Sequence, residues 1–383
     1  MTQQRSFVHW WRAAAAVTRL PAVLLLTLVA GCATQLPSSP GIAISRSRLA
    51  HARYVEIIYT GRQLSSLDYR DHLFHAHTLA RRPPCQPAAP REGFRPPLAA
   101  WVWRSDLLLR HPRMATSFLR RAAAHRIRSL YVQIGPNLGS FPEFLHLATD
   151  LDIRIYALSG SPGDVDNPAV PLGAMGRVIA YNRQHTTRFA GIQFDVEPYL
   201  LSRYRTDRRQ VLTRYVRLLH ALRRRSAGKI AYGMVVPFWF NQETVGGRNL
   251  MGIVARNADS LAIMSYRTNR DRLLAVSAGA LCYAHRYGKP ALLGIELRHI
   301  PDEIHYFLAA RQVSRHLQES GGRFYLNKDP RSFSHYARHY AVPGSEISFY
   351  PHVHTALRYT QLPIPYPAFS GWIIDGLGQF WIR

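Results

Sequence analysis

"GIQFDVEPY", residues 191–199, sets Gln193, Asp195 and Glu197 at alternate positions inside an otherwise apolar run. A strand turns successive side chains to opposite faces, so these three share one face while Ile192, Phe194 and Val196 share the other. Burying carboxylates without partners is costly, and such pairs are usually arranged for a purpose. What the purpose is depends on the elements around the strand.

Outward from this stretch the chain keeps a rhythm. Strand-like apolar runs occur at 98–104, 129–135, 153–160, 191–198, 229–238, 260–266, 291–299 and 370–376. Several intervals carry helical periodicity. "MATSFLRRAAAHRIRS" (114–129) gathers Phe118, Leu119, Ala122 and Ala123 on one side. "RRQVLTRYVRLLHALRRR" (208–225) sets Val211, Leu212, Tyr215, Leu219 and Leu222 opposite its arginines. Strands alternating with helices predict a parallel sheet, and eight such units predict a closed (β/α)8 TIM barrel. No GxGxxG follows the first run, which argues against an open dinucleotide-binding sheet. Seven strands are expected within 98–299, with the eighth at 370–376. The segment of about 300–369, with "DEIHYFLAARQVSRHLQES" and "EISFY", reads as an insertion between strands seven and eight.

The barrel domain is therefore expected over 98–383. Ahead of it lie a small polar tether from residue 32, an amphipathic segment (49–80) read as a short helical extension, and "RRPPCQPAAPREGFRPP" (81–97). The prolines of that last span cannot continue a helix or a central strand. Residues 1–31 read as a signal peptide: Arg5, Arg12 and Arg19 precede a short apolar core, "PAVLLLTLVA". The core ends in "LVAGC", which resembles the lipobox of bacterial lipoproteins and implies a lipid on Cys32. Ala33 after it, by resemblance to Gram-negative sorting, implies the outer membrane, facing the periplasm. An ordinary signal peptide or an uncleaved anchor is the other reading of the same residues.

The formal net charge is +26, yet only Lys229, Lys289 and Lys328 among the 49 basic residues are lysines. Arginines spread along the chain in this way describe a solvated, compositionally biased surface, and no nucleic-acid-binding motif accompanies them. No nucleic-acid partner is expected. Cys85 and Cys282 could pair in an exported chain, but Cys282 also lies on an apolar helical stripe where a core thiol would sit. With no CxxC spacing, no metal is expected.

Barrel chemistry sits at the carboxyl ends of the strands, where Asp195 and Glu197 fall. Neighbouring carboxyls oppose each other's ionisation, so a protonated Glu197 beside an ionised Asp195 would suit a general acid. Interior acids neutralised by arginines is the alternative, and the strand alone does not decide. On these residues the chain resembles the family 18 glycoside hydrolases, chitinases and endo-β-N-acetylglucosaminidases, whose fourth strand reads D-G-x-D-x-D-x-E. Aligned on Gly191, the last Asp and Glu fall on Asp195 and Glu197, and Met264-Ser265-Tyr266 matches the family's M-x-Y. The departures are Ala190 and Gln193 in place of the first two acids, Arg267 where chitinases carry Asp, and Asp375 at the final-strand Trp.

The resemblance implies a retaining, substrate-assisted mechanism without a cofactor. Glu197 would be the acid, Asp195 would orient the N-acetyl group and Tyr266 would steady it. Gln193, Met264, Trp101, Trp103, Trp239, Asp375 and Glu296 would surround the sugar. For each Trp, core packing is an equal reading, and for Glu296 an ion pair with Arg298. The expected activity is hydrolysis of N-acetylhexosamine-containing glycan in the cell envelope. A silent barrel that binds envelope glycan or a partner protein is the alternative from another class. A family 25-like muramidase also uses D-x-E, but its Asp-rich opening strand is missing from "LAAWVWRSD" (98–106).

Overall fold

The computed structural model describes residues 42–60, 63–70, 85–88, 93–326 and 338–382. The signal segment, Cys32 and the tether ahead of residue 42 lie outside the described residues. The chain divides into two compact units, one of Met1–Thr78 with Pro301–Gly344, the other of Leu79–Ile300 with Ser345–Arg383.

The larger unit is a closed barrel of eight strands. In chain order these are β1 (Leu98–Val102), β2 (Ile127–Gln133), β3 (Arg154–Ser159), β4 (Gly191–Phe194), β5 (Tyr232–Pro237), β6 (Ser260–Met264), β7 (Ala291–Glu296) and β8 (Phe369–Asp375). Every strand pairs in parallel with its chain neighbours, and β8 closes the ring on β1, with Trp372 opposite Leu98. All residues of β1, β4 and β5 are buried, as expected for strands covered on both faces.

The connecting helices are α1 (Pro112–Ala124), α2 (Phe141–Asp150), α3 (Ala169–Gln184), α4 (Arg208–Ser226), α5 (Leu250–Asn257) and α6 (Arg270–Arg286). The stripes read from the sequence are the buried ones. Phe118, Leu119 and Ala122 bury on α1, and Val211, Leu212, Tyr215, Leu218, Leu219 and Leu222 on α4. Arg223, Arg224 and Arg225 occupy the last turn of α4, where cations suit the helix dipole. Cys85 and Cys282 are joined by a disulfide, with Cα atoms 5.5 Å apart. The thiol on the apolar stripe of α6 is thus half of a cross-link.

The smaller unit corrects the helical reading of 49–80. Among the described residues of that segment helix is confined to Arg46–Ala50, while Tyr54–Thr60 and Gln63–Arg70 form an antiparallel hairpin. Its partner is remote in sequence: Tyr54–Thr60 pairs antiparallel with Glu303–Ala309, which pairs in turn with Arg338–Val342. The β-branched and aromatic content of "YVEIIYT" is what a half-buried strand prefers, and that outweighs its partial helical periodicity. The segment of about 300–369 is likewise not one piece. Pro301–Gly344 joins the N-terminal residues, whereas Ser345–Ala368, with α7 (Val353–Tyr359), stays with the barrel.

Candidate active site

β4 stops at Phe194, one residue before the first acid. Asp195 still extends the ladder, its amide donating to the Ser159 carbonyl at 2.9 Å. That approach requires Gly160, which has φ +138°; a Cβ there would lie 2.3 Å from the Asp195 carbonyl oxygen. The simple alternation of side chains ends at Glu197. Its φ is 47°, in the left-handed region that non-glycine residues rarely occupy, and Pro198 begins a single 3-10 turn beyond it. Such a backbone costs on the order of 1–3 kcal/mol and survives only where its surroundings impose it. Here the imposed bend presents the carboxylate at the strand's end.

Gln193 is 1% exposed, and its Oε1 accepts from Trp101 Nε1 at 2.7 Å. Trp101 is itself buried, so both residues belong to the barrel interior. Asp195 and Glu197 are partly exposed, and one Asp195 oxygen, Oδ1, is enclosed without a hydrogen-bond partner among the described residues. Tyr199 donates its hydroxyl to Glu197 Oε1 in a short contact, and its ring packs edge-on against Trp239 at 5.1 Å. Trp239 is buried, and its Nε1 lacks a partner among the described residues. Met264 and Tyr266 end β6 or follow it, both buried, and the Tyr266 hydroxyl reaches Asp375 Oδ2 at 3.5 Å. Arg267 folds back to its neighbour's Tyr266 carbonyl at 2.6 Å and lies 5.5 Å from the centre of the Phe238 ring. Burial lowers its pKa to about 10.

Two residues grouped above with the sugar contacts are held by neighbouring groups, Glu296 in the ion pair with Arg298 that was its other reading. Glu296 is fully buried, and its oxygens accept from the Leu297 and Arg298 amides and from the Arg298 guanidinium. Asp375 is 2% exposed and accepts from Trp103 Nε1 at 3.0 Å and from Arg298 Nη2 at 2.5 Å. Arg298 thus bridges the ends of β7 and β8. Sequence reasoning treated it only as an ion-pair partner for Glu296, and it passed over Tyr199 although that residue lies within the opening stretch. The signal for both was a polar side chain shortly after a strand's carboxyl end, two residues beyond β7 for Arg298 and five beyond β4 for Tyr199.

The electrostatics follow from this crowding. Burial pushes Glu197 up to about 7; Tyr199's hydrogen bond and the Arg298 charge oppose the rise, and Asp375 adds to it. Asp195 is also raised, first by burial and then by the charges of Glu197 and Asp375, with Arg298 opposing. Both acids are therefore pushed toward their protonated forms, Glu197 to about 7. Tyr199 and Tyr266 are held far above the ordinary phenol value by burial and by nearby carboxylates, so both are neutral. Glu197 can therefore carry a proton to deliver near neutral pH.

Fold and site together define a (β/α)8 barrel with two raised acids, Asp195 and Glu197, at its carboxyl mouth. No family model matches the chain, and no curated protein matches it in sequence. The likeness in fold is to chitinase-like barrels. A class V chitinase from Nicotiana tobaccum aligns at 16% identity over 53% of this chain and 67% of that one, with a TM-score of 0.35. The spore cortex-lytic enzyme SleL from Bacillus cereus aligns at 10% identity over 82% and 74%, with a TM-score of 0.39. An endo-β-N-acetylglucosaminidase from Cordyceps militaris aligns at 12% identity over 74% and 82%, with a TM-score of 0.40. Matches of this size add nothing to the functional argument, which rests on the residues at the mouth.

Proposed function

We propose that this protein is a glycoside hydrolase that cleaves N-acetylhexosamine-containing glycan with retention, using the substrate's own acetamide as nucleophile. The observation that carries the reading is the placement of two acids at the carboxyl end of β4: Asp195, whose Oδ1 is enclosed without a partner among the described residues, and Glu197, set on a left-handed bend and hydrogen-bonded by Tyr199. Glu197 would donate its proton to the glycosidic oxygen as the bond to the anomeric carbon breaks. The acetamide carbonyl oxygen would supply the electron pair that replaces the leaving group, forming a cyclic oxazolinium ion. Asp195 Oδ1, enclosed and without a partner among the described residues, fits the acetamide N–H and would stabilise that cation. Water, deprotonated by the Glu197 carboxylate, would then open the ring and restore the acid.

The test is turnover of a chromogenic chitobioside. General acid–base groups are worth on the order of 10²–10⁴ in rate, so Glu197→Gln should abolish measurable turnover while sugar binding persists. A rate unchanged by that substitution would remove Glu197 from the chemistry. A second reading, a barrel that binds such glycans without cleaving them, is favoured by one observation: Gln193 cannot ionise and is tied to Trp101. Wild-type protein that binds N-acetylated oligomers yet never cleaves them would establish it.

Export and lipid attachment at Cys32 belong to the same proposal. The Cys85–Cys282 disulfide supports passage to an oxidising compartment. Mass spectrometry of membrane-extracted protein should find Cys32 lipidated and residues 1–31 gone; an intact Met1 or an unmodified Cys32 would overturn this part.

A further inference from the structure

Tyr199 stands two residues after Glu197, on the single turn Pro198–Leu200. Its hydroxyl donates to Glu197 Oε1, the one hydrogen bond that hydroxyl makes among the described residues. Residues two apart on a helical turn do not face each other. Here Glu197 precedes the turn with φ 47°, Pro198 starts it, and the Leu200 amide closes it on the Glu197 carbonyl at 3.0 Å. The phenol ring is gripped edge-on by two buried aromatics of the 3-10 turn after β5 (Phe238–Gln242). Trp239 lies 5.1 Å from it at 69°, and Phe240 6.2 Å from it at 89°. Backbone and ring packing thus fix the donor, and the donor holds one oxygen of the acid. The other oxygen, Oε2, has no hydrogen-bond partner among the described residues and, unlike Asp195 Oδ1, is not sealed from solvent.

We propose that Tyr199 is a positioning residue that decides which oxygen of Glu197 carries the transferable proton: by donating to Oε1 it leaves Oε2 to give the proton up and take it back. A neutral carboxyl has one carbonyl oxygen, which accepts, and one hydroxyl oxygen, which donates. While Tyr199 donates to Oε1, that atom is the carbonyl and the proton resides on Oε2. Protonation at Oε1 would instead turn the phenol's own proton away from the acceptor it has among the described residues. The hydrogen bond persists through both halves of the reaction, because Oε1 accepts whether the group is acid or carboxylate. It also opposes the rise that burial imposes on Glu197, as a donor that favours the charged form must. The other titratable or charged groups around the two residues are Asp195 ahead of them, Tyr215 on α4, Tyr266 after β6, Glu296 and Arg298 at the end of β7, and Asp375 on β8. All of them stay in place when the Tyr199 hydroxyl alone is removed.

This role of Tyr199 takes its catalytic meaning from the hydrolase reading, but two spectroscopic signs of it need no turnover. Tyr199→Phe keeps the ring contacts and loses the donor. Infrared difference spectra at about pH 5, each protein against its own Glu197→Gln variant, isolate the C=O stretch of protonated Glu197. Loss of a donor to the carbonyl oxygen should move that band to higher wavenumber in Tyr199→Phe. The Glu197 midpoint, followed by NMR of ¹³C-labelled carboxyls, should rise by roughly one pH unit, since a hydrogen bond to the charged form is lost. In turnover of the chromogenic chitobioside, kcat should fall about ten- to a hundredfold with KM little changed. The basic limb of the pH profile should move up with the midpoint. 3-Fluorotyrosine in place of Tyr199, a stronger donor in the same frame, should lower the midpoint, and it decides the matter if Tyr199→Phe does not fold. A band that stays put places the proton on Oε1 and overturns the proposal, as does a midpoint that is unmoved or lowered in Tyr199→Phe. Both signs in a protein that never hydrolyses glycan retire the hydrolase and keep the tyrosine's hold on the acid. Hydrolysis with neither sign does the reverse.

Discussion

Glu197 carries two costs that a surface glutamate would not. Its backbone is left-handed, and its carboxyl is raised from the ordinary 4.5 to about 7 by burial. The second cost has a definite sign. An acid whose folded value lies above its unfolded one binds more protons when folded, so it subtracts stability as pH rises from about 4.5 to about 7. Glu197→Gln removes the titrating group and with it that penalty. The variant should therefore gain melting temperature over wild type, and gain more at pH 8 than at pH 5. Equal gains at both values in thermal melts would show that the carboxyl is not raised. The existence of the acid pair was legible in the sequence, because alternation inside an apolar run needs only one strand to read. The bend at Glu197, Tyr199's hydroxyl and the approach of Gly160 were not, since each depends on a neighbour brought in by folding.

At the scale of elements, the eight barrel strands all begin within three residues of where their apolar runs suggested, because a strand buried on both faces announces itself by composition. The runs overshoot at their carboxyl ends: the run to Pro198 yields a strand ending at Phe194, and that to His299 one ending at Glu296. The overshoot is where the candidate site side chains sit. Tyr54–Thr60 was harder, as its ladder partner lies far along the chain and no local window contains both. That pairing creates a buried polar cluster. His305 is fully buried, with Nδ1 at 3.0 Å from Glu56 Oε1 and Nε2 at 3.4 Å from Glu303 Oε2, and its ring stacks on Tyr340. Burial lowers the imidazole's affinity for its proton, but the two glutamates outweigh it and the net shift is upward. A raised histidine adds stability that is fully present below the unfolded value, about 6.5, and is lost as pH rises through the folded value. Hydrogen exchange of the Glu303–Ala309 amides should therefore accelerate between pH 6 and pH 9, after correction for the intrinsic rate, and His305→Gln should flatten that dependence. A dependence kept in the variant would point to other groups.

For the whole molecule, the global charge of +26 and the acidic mouth of the barrel are separate facts, and the first gives no guide to the second. The disulfide closes a loop of 197 residues that contains β1 to β6. Loop-closure entropy for that length is about 5 kcal/mol, an upper figure, since engineered cross-links often yield less. Reduction, or Cys282→Ser, should lower the melting temperature by roughly 5–15 °C; a drop under a degree would mean that the bond leaves stability untouched. The smaller unit carries a different long-range constraint, with Glu56 hydrogen-bonded to a histidine 249 positions later. Its consequence lies in biosynthesis. A ribosome adding about 5–20 residues per second needs roughly 12 to 50 s between those two points. Throughout that interval the Tyr54–Arg70 hairpin has been made and its third strand has not, leaving one edge of Tyr54–Thr60 open to any passing chain. A polypeptide released before residue 303 would keep that edge for good, which makes truncated products of this gene candidates for aggregation and for early proteolytic disposal.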